Sequence, residues 1–394
     1  MGRWKMMVML SVFMGIVSAS VASAEYEAGL RAYKDGDFAS AIREFRTDGS
    51  PKALYQIGVM YAEGKGIRKP SPGEAIKWYR KAADQGFLKA QYALGVAYAL
   101  GQGTAVNRKE AARWYRKAAE QGHMTAQYNL AQMYRTGEGV RQDESEAFTW
   151  YRKAAEQGHA AAQLTVAQFY DKGVGVELDK KEAARWYLKA AEQGKSTAQF
   201  AVASMYEKGE GVEADKKEAL KWYRRAAEQK NAKAQFKVGL FYDRGDGGAE
   251  GKKEAAKWYR RAAENGIPEA QFNLGVLYYY GKGIERNRKE AAKWFRKAAG
   301  QGDAEAQNNL GQMYEQGEGV KQDWKEAVKW YRKSADQGFD QAQFSLGLMY
   351  FHGRGVKQNR REAFRWFGKA AENGSEEAAR TLEALGRHLP LHPR

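Results

Sequence analysis

Tryptophan returns every 36 residues through most of this chain, and that period governs what the chain can fold into. The indoles stand at Trp78, Trp114, Trp150, Trp186, Trp222, Trp258, Trp294, Trp330 and Trp366, each followed by Tyr or Phe. Two further tracks repeat in phase. One is Ala-Gln, from Ala90-Gln91 through Ala126-Gln127 and Ala162-Gln163 to Ala342-Gln343. The other is a paired glycine, as in Gly137/Gly139 and Gly317/Gly319. A period of this length marks an array of supersecondary units, none of which can bury its apolar face without a neighbour.

Each unit reads as two helices. Ala90, Leu94, Ala97 and Tyr98 fall on one face of a first helix. Gly95 beside them lets a neighbouring helix come close, and Gly101 and Gly103 end the helix, since glycine accepts the left-handed backbone of a C-cap. Asn107 then caps a second helix with Glu110 three positions on. The same spacing recurs at Asp143/Glu146, Asp179/Glu182, Asp215/Glu218, Asn287/Glu290, Asp323/Glu326 and Asn359/Glu362. Ser71-Pro72 with Glu74 is a variant with proline at the first helical position. The second helix runs through Trp114-Tyr115 and Ala118-Ala119 to Gly122. Its Trp and Tyr are expected to fill the space against the next hairpin, each contributing on the order of 3 kcal/mol when buried.

Composition narrows the function. The 43% hydrophobic and 13% aromatic content exclude a disordered chain. The absence of cysteine excludes a disulfide scaffold, an iron–sulfur protein, a cysteine-ligated zinc site and a cysteine nucleophile. Arg3 and Lys5, an apolar run from Met6 to Val17 and the exit Ala22-Ser23-Ala24 have the form of a secretory signal. Residues 1–24 are therefore expected to be cleaved after Ala24, leaving no membrane span and a periplasmic or secreted chain. Net charge is +17 for the whole sequence and +15 without Arg3 and Lys5. Export discounts nucleic acid as the partner of that charge.

Units of the form Ala-Gln-x-x-Leu-Gly-x-x-Tyr-x-x-Gly-x-Gly, followed by Glu-Ala-x-x-Trp-Tyr-x-x-Ala-Ala, resemble the Sel1-like repeat, a branch of the tetratricopeptide superfamily. The resemblance covers nine units over 51–374. Residues 25–50, with Gly29, Tyr33, Phe38 and Phe45, look more like an ordinary tetratricopeptide hairpin that caps the N-terminal end. Residues 375–387 read as a capping helix, and 388–394 as a loose tail. The resemblance implies an all-α, right-handed α-solenoid of antiparallel helix hairpins that binds proteins, often in envelope or signalling complexes. Cysteine-rich secreted relatives are linked to penicillin binding and β-lactam hydrolysis, and this chain departs from them in having no cysteine.

No catalytic motif emerges. Ser-x-x-Lys, Gly-x-Ser-x-Gly and His-Glu-x-x-His are all absent. The Gly-x-Gly pairs follow no strand and lack the Lys-Ser/Thr of a phosphate loop. His123 and His159, one unit apart, have no third ligand nearby, so neither a metal nor a cofactor is implied.

Two surfaces are candidates for binding. Positions 92, 96, 99 and 100 lie opposite the packed face of the first helix, and the resemblance places their counterparts along a concave groove. Most units are polar there, such as Asn308, Gln312, Glu315 and Gln316. Two are not: one offers Phe272, Val276, Tyr279 and Tyr280, the other Phe344, Leu348, Phe351 and His352. Apolar side chains facing a groove suit capture of a protein or peptide. The second surface is a basic ridge on the second helices, formed by Lys221, Arg224 and Arg225, then Lys257, Arg260 and Arg261, then Lys293, Arg296 and Lys297. It suits an anionic envelope component such as peptidoglycan or a lipid head group, or is simply a solvated face with helix ion pairs. One junction is irregular: Lys230 stands where other units end in glycine, and Gly248 and Gly251 replace the usual Val/Ile and capping Asp/Asn. The weakest coupling between neighbouring units is expected between 230 and 252.

Overall fold

The structure, a computed structural model, describes residues 24–246 and 251–387. Residues 1–23, which hold most of the expected signal, residues 247–250, and residues 388–394, read from the sequence as a loose tail, lie outside the described residues. All regular structure within them is helical. The chain divides into two compact bodies, 1–193 and 194–394, and each is a stack of helix hairpins. The first body opens with α1 (24–34) and α2 (Phe38–Asp48). Four hairpins follow: α3 (Pro51–Glu63) with α4 (Pro72–Asp84), α5 (Leu88–Leu100) with α6 (Arg108–Glu120), α7 (Met124–Thr136) with α8 (Glu144–Glu156), and α9 (Ala160–Lys172) with α10 (Lys180–Glu192). The second body holds α11 (Ser196–Lys208) with α12 (Lys216–Glu228), α13 (Ala232–Arg244) with α14 (Gly251–Glu264), and α15 (Pro268–Tyr280) with α16 (Arg288–Gly300). Then come α17 (Ala304–Gln316) with α18 (Trp324–Ala335), α19 (Asp340–His352) with α20 (Arg360–Glu372), and a last helix, α21 (Glu376–Arg387).

The helix ends follow from the capping residues. Asn107 accepts the Glu110 amide at 3.1 Å, and Asp143 accepts those of Ser145 and Glu146 at 3.0 Å. The capping glutamates turn instead to a cation one turn on, as in Arg113–Glu110 at 3.5 Å, Arg185–Glu182 at 2.6 Å and Lys221–Glu218 at 2.8 Å. Glu146, whose corresponding neighbour is Thr149, accepts the Trp150 indole N–H at 3.2 Å. Ser71 makes no side-chain cap, and Pro72 alone shapes that start. First helices end on glycines such as Gly101, at φ 72°.

The core depends on the two neighbouring aromatics, and here the expectation needs correction. Tryptophan faces the preceding hairpin: Trp114 packs with Ile76, Ala82 and Ala83, and Trp366 with Ala327, Val328 and Ala335. The following ring faces forward: Tyr331 shares its cluster with Ala342, Leu346 and Met349 of the next first helix. Adjacent residues on an α-helix point about 100° apart, so the pair cannot serve one side. From Trp114 to Trp366 these indoles are buried, whereas Trp78 is half-exposed. The forward ring also lies on its own first helix, where a Cβ at Gly95 would stand 2.4 Å from the Tyr115 ring and one at Gly239 2.5 Å from Tyr259.

Polar groups join the hairpins as well. Gln127 is buried, donates to the Ala119 carbonyl at 3.1 Å, and accepts from Gln157 at 2.7 Å. The same relay occurs at Gln91, Gln163, Gln235, Gln271, Gln307 and Gln343. Arginines on second helices donate to a tyrosine of the next first helix, as in Arg80 to Tyr98, Arg116 to Tyr134, Arg260 to Tyr278 and Arg332 to Tyr350. Arg46 of α2 does the same to Tyr61, at 3.2 Å, so the opening hairpin joins the array by the array's own bond.

Candidate binding groove

Within each body, notches open between successive first helices, floored by the forward-facing ring of the second helix. In the first body, Tyr79 floors a notch of about 250 Å³ between α3 and α5, and Tyr115 one of about 280 Å³ between α5 and α7. In the second, Phe295 floors a smaller notch of about 70 Å³ between α15 and α17, walled by Val276, Tyr279, Tyr280, Asn309, Gln312 and Met313.

The floor and position 99 of each hairpin vary together. Where the floor is tyrosine, position 99 is an acid in five hairpins: Glu63, Asp171, Glu207, Asp243 and Glu315. The remaining two tyrosine hairpins carry Ala99 and Arg135. Tyr223 donates to Glu207 and Tyr331 to Glu315, both at 2.7 Å. Burial opposes the charge on Glu207, but bonds from Tyr223 and Lys237 outweigh it and hold the carboxyl below its ordinary range. Where the floor is Phe295 or Phe367, no hydroxyl needs an acceptor, and position 99 is Tyr279 or Phe351. The apolar patches are therefore the two places where a phenol–carboxylate pair gives way to tilted and edge-on ring contacts.

The structure separates the seven apolar candidates by degree of engagement. Phe272 packs on Phe295 with ring centres 5.7 Å apart, and Phe344 on Phe367 at 5.4 Å, as Tyr92 does on Tyr115 at 5.9 Å. Val276, Leu348 and Phe351 are half-exposed. Tyr279 donates to Glu318 of the next hairpin at 2.5 Å, a bond that, with burial behind it, raises its pKa above the usual phenol value. Arg288 lies 5.4 Å from that ring centre and pairs with Glu318 at 2.5 Å. Tyr280 stands edge-on to Tyr279 and is 61% exposed.

Trp324 is a further exposed aromatic in this part of the chain, outside the candidates that the repeat pattern singles out. It starts α18 where other hairpins place Arg108, Glu144, Lys180 or Arg288, and it is 43% exposed. Arg354 lies 5.8 Å from its ring centre, and Arg360 lies 5.9 Å from that of Phe351. The signal is present as one aromatic in a column that otherwise holds charges and, in the first repeat, Pro72.

The basic ridge is exposed at all nine positions, and its cations are engaged within the stack. Lys221 and Lys293 pair with Glu218 and Glu290 at 2.8 and 2.5 Å, and Lys257 pairs with Glu254. Arg260 and Arg296 bond Tyr278 and Tyr314, and Arg224 lies 5.9 Å from the Tyr242 ring centre. Arg225, Arg261 and Lys297 sit over Trp222, Trp258 and Trp294 at 4.5, 4.6 and 4.1 Å.

His123 and His159 cap first helices. Each Nδ1 accepts an amide, from Ala126 at 3.2 Å and Ala162 at 3.1 Å, and the rings stack on Tyr92 and Tyr128. Burial lowers the His123 pKa below the ordinary value of 6.5.

Hairpins stacked through aromatics and glutamines define an α-solenoid repeat protein. The Sel1 repeat profile matches nine consecutive segments from 51–87 to 340–375, and the chain belongs to the Sel1 repeat family, whose members generally act as non-catalytic mediators of protein–protein interaction. A protective antigen of uropathogenic Escherichia coli, with an SLR fold in its crystal structure, is 38% identical; the match covers 94% of this chain and 81% of that one, with a TM-score of 0.78. A Sel1 repeat protein from Oxalobacter formigenes is 31% identical over 88% of this chain and 90% of its own, with a TM-score of 0.55. No curated relative matches the chain. Among the described residues, no helix is long and apolar enough to cross a membrane.

Proposed function

We propose that this chain is an exported, non-catalytic scaffold that holds a protein or peptide partner along the first helices of its last three repeats. The observation that carries the reading is the replacement of the phenol–carboxylate pair by rings at Tyr279 and Phe351, with exposed Tyr280 against Tyr279 and a further exposed aromatic, Trp324, on α18 between those two repeats. Aromatics of this kind supply contact area at low entropic cost and concentrate binding energy, on the order of 2 kcal/mol for a well-covered ring. The flanking Arg288, Arg354 and Arg360 favour a partner with acidic residues next to apolar ones.

The test is site-specific photocrosslinking from position 280 in the exporting cell, with and without Tyr279→Ser, Phe351→Ser and Trp324→Ser. One defined adduct, lost in the triple variant while helicity is retained, is the expected result. An adduct unaffected by the substitutions would reject the groove. Periplasmic material should begin at Glu25 by mass spectrometry, and an intact Met1 would reject export with cleavage. Binding that falls steeply with salt while ignoring the groove substitutions would instead favour the basic ridge and an anionic envelope polymer.

A further inference from the structure

We propose that the notch between α5 and α7 binds a carboxylate carried by an extended peptide, with Ala99 marking the place where other repeats hold a carboxylate of their own. The inference is independent of the reading above, whose residues all lie beyond 267.

The second repeat keeps its phenol, Tyr115, but has lost the acid that accepts from it. In the hairpin of α11 and α12, Glu207 fills this position, accepts from Tyr223 at 2.7 Å and from Lys237 of the next first helix at 2.9 Å. Counting by the repeat, Glu207 becomes Ala99, Tyr223 becomes Tyr115 and Lys237 becomes Asn129. A phenol and a side-chain donor survive while the acceptor is gone, and Ala99, Tyr115 and Asn129 all line the notch of about 280 Å³.

The surrounding charge suits an acid. Tyr115 and Asn129 line the notch together, and with alanine at position 99 the phenol lacks the carboxylate that accepts from Tyr223 and Tyr331. Burial pushes the Tyr115 pKa up to about 12, and the hydroxyl stays protonated at neutral pH. Arg108 is held in the wall by the Ala99 carbonyl and by Glu138 at 3.1 Å. Arg135, on the opposite wall, is exposed and stands where five other repeats place an acid. Two guanidiniums against the single carboxylate of Glu138, with a phenol and two side-chain amides (Asn129 and Gln132) beside them, leave a surplus positive charge that favours a carboxylate over a neutral group. It can come from a Glu or Asp side chain or from a peptide C-terminus.

Isothermal titration of the full chain with three short Gly/Ser peptides separates the sources. One carries a single internal Glu and blocked ends, one a free C-terminal carboxylate and no acidic side chain, and one Gln with both ends blocked. At least one acid-bearing peptide should bind and the neutral one should not. Arg135→Gln and Ala99→Glu should each weaken that binding about tenfold or more, the second because the new carboxylate occupies the site itself. Arg135→Gln changes an exposed side chain, so it tests the site even if Ala99→Glu misfolds. The Tyr279, Phe351 and Trp324 substitutions should leave the peptide titration unchanged. No binding of either acidic peptide, or binding that ignores both Arg135→Gln and Ala99→Glu, would overturn the assignment.

Discussion

At the residue scale, small steric and protonic facts hold the array together. Gly239 touches the Tyr259 ring so closely that an added Cβ would sit 2.5 Å from it. Ala131, Ala167 and Ala203 occupy the corresponding place in three other repeats, so a methyl is tolerated where the ring shifts. A β-branched side chain is not: Gly239→Val should cost about 1–3 kcal/mol, visible as a lower Tm with unchanged helicity. His123 offers a pH test. Its Nδ1 must be unprotonated to accept the Ala126 amide, and burial holds its pKa down. The unfolded chain therefore takes up the proton first, and stability should fall as pH drops below about 6.5, with no change from this group above it. His123→Asn supplies the cap that Asn231 already provides to α13, and should flatten that dependence in thermal melts at pH 5 and 8. A melt series with the same slope in both proteins would remove His123 from the account.

At the element scale, much of the plan was legible. Indole spacing, glycine pairs and capping Asp/Asn residues all act within one helix or at its ends, where a 36-residue register is enough to read them. The rest needed elements placed side by side. The pairing of position 99 with the floor ring joins residues sixteen apart on different helices, so its meaning appears only when Glu207 meets Tyr223. The glutamine track was visible, but the relay from Gln157 to Gln127 to the Ala119 carbonyl was not. Trp324 lies outside the 36-residue tryptophan track, so periodicity alone assigns it no role. The junction before α14 yields a prediction of its own. Lys230 takes φ 64°, the one positive φ at a non-glycine among the described residues, and Lys230→Gly should raise stability by up to about 1 kcal/mol, the relieved strain exceeding the added chain entropy. Hydrogen exchange should find the fastest internal opening across 230–252, and uniform protection there would remove that weakness.

At the scale of the molecule, the main packing within each body is between successive helices, so stability should be close to a sum of unit and interface terms. Excising residues 304–339, one whole period, lets Arg296 meet Tyr350 in place of Tyr314 and returns the same sequence register. The shortened chain should keep its helicity per residue by circular dichroism and melt at a modestly lower temperature. Excising half as much, 304–321, sets a second helix where a first belongs and should lose cooperative unfolding. Equal behaviour of the two deletions would contradict the nearest-neighbour picture.

The bond from Arg116 to Tyr134 always points toward the later hairpin, which gives the stack a direction in time as well as in space. A nascent chain that leaves the ribosome or a secretion pore N-terminus first finishes one unit only when the opening helix of its successor has emerged. The growing edge is then always one helix behind, with a guanidinium and a forward-facing ring waiting on it. Synthesis paused between units would expose that unfinished edge to chaperones, whereas a pause one helix later would leave it sealed.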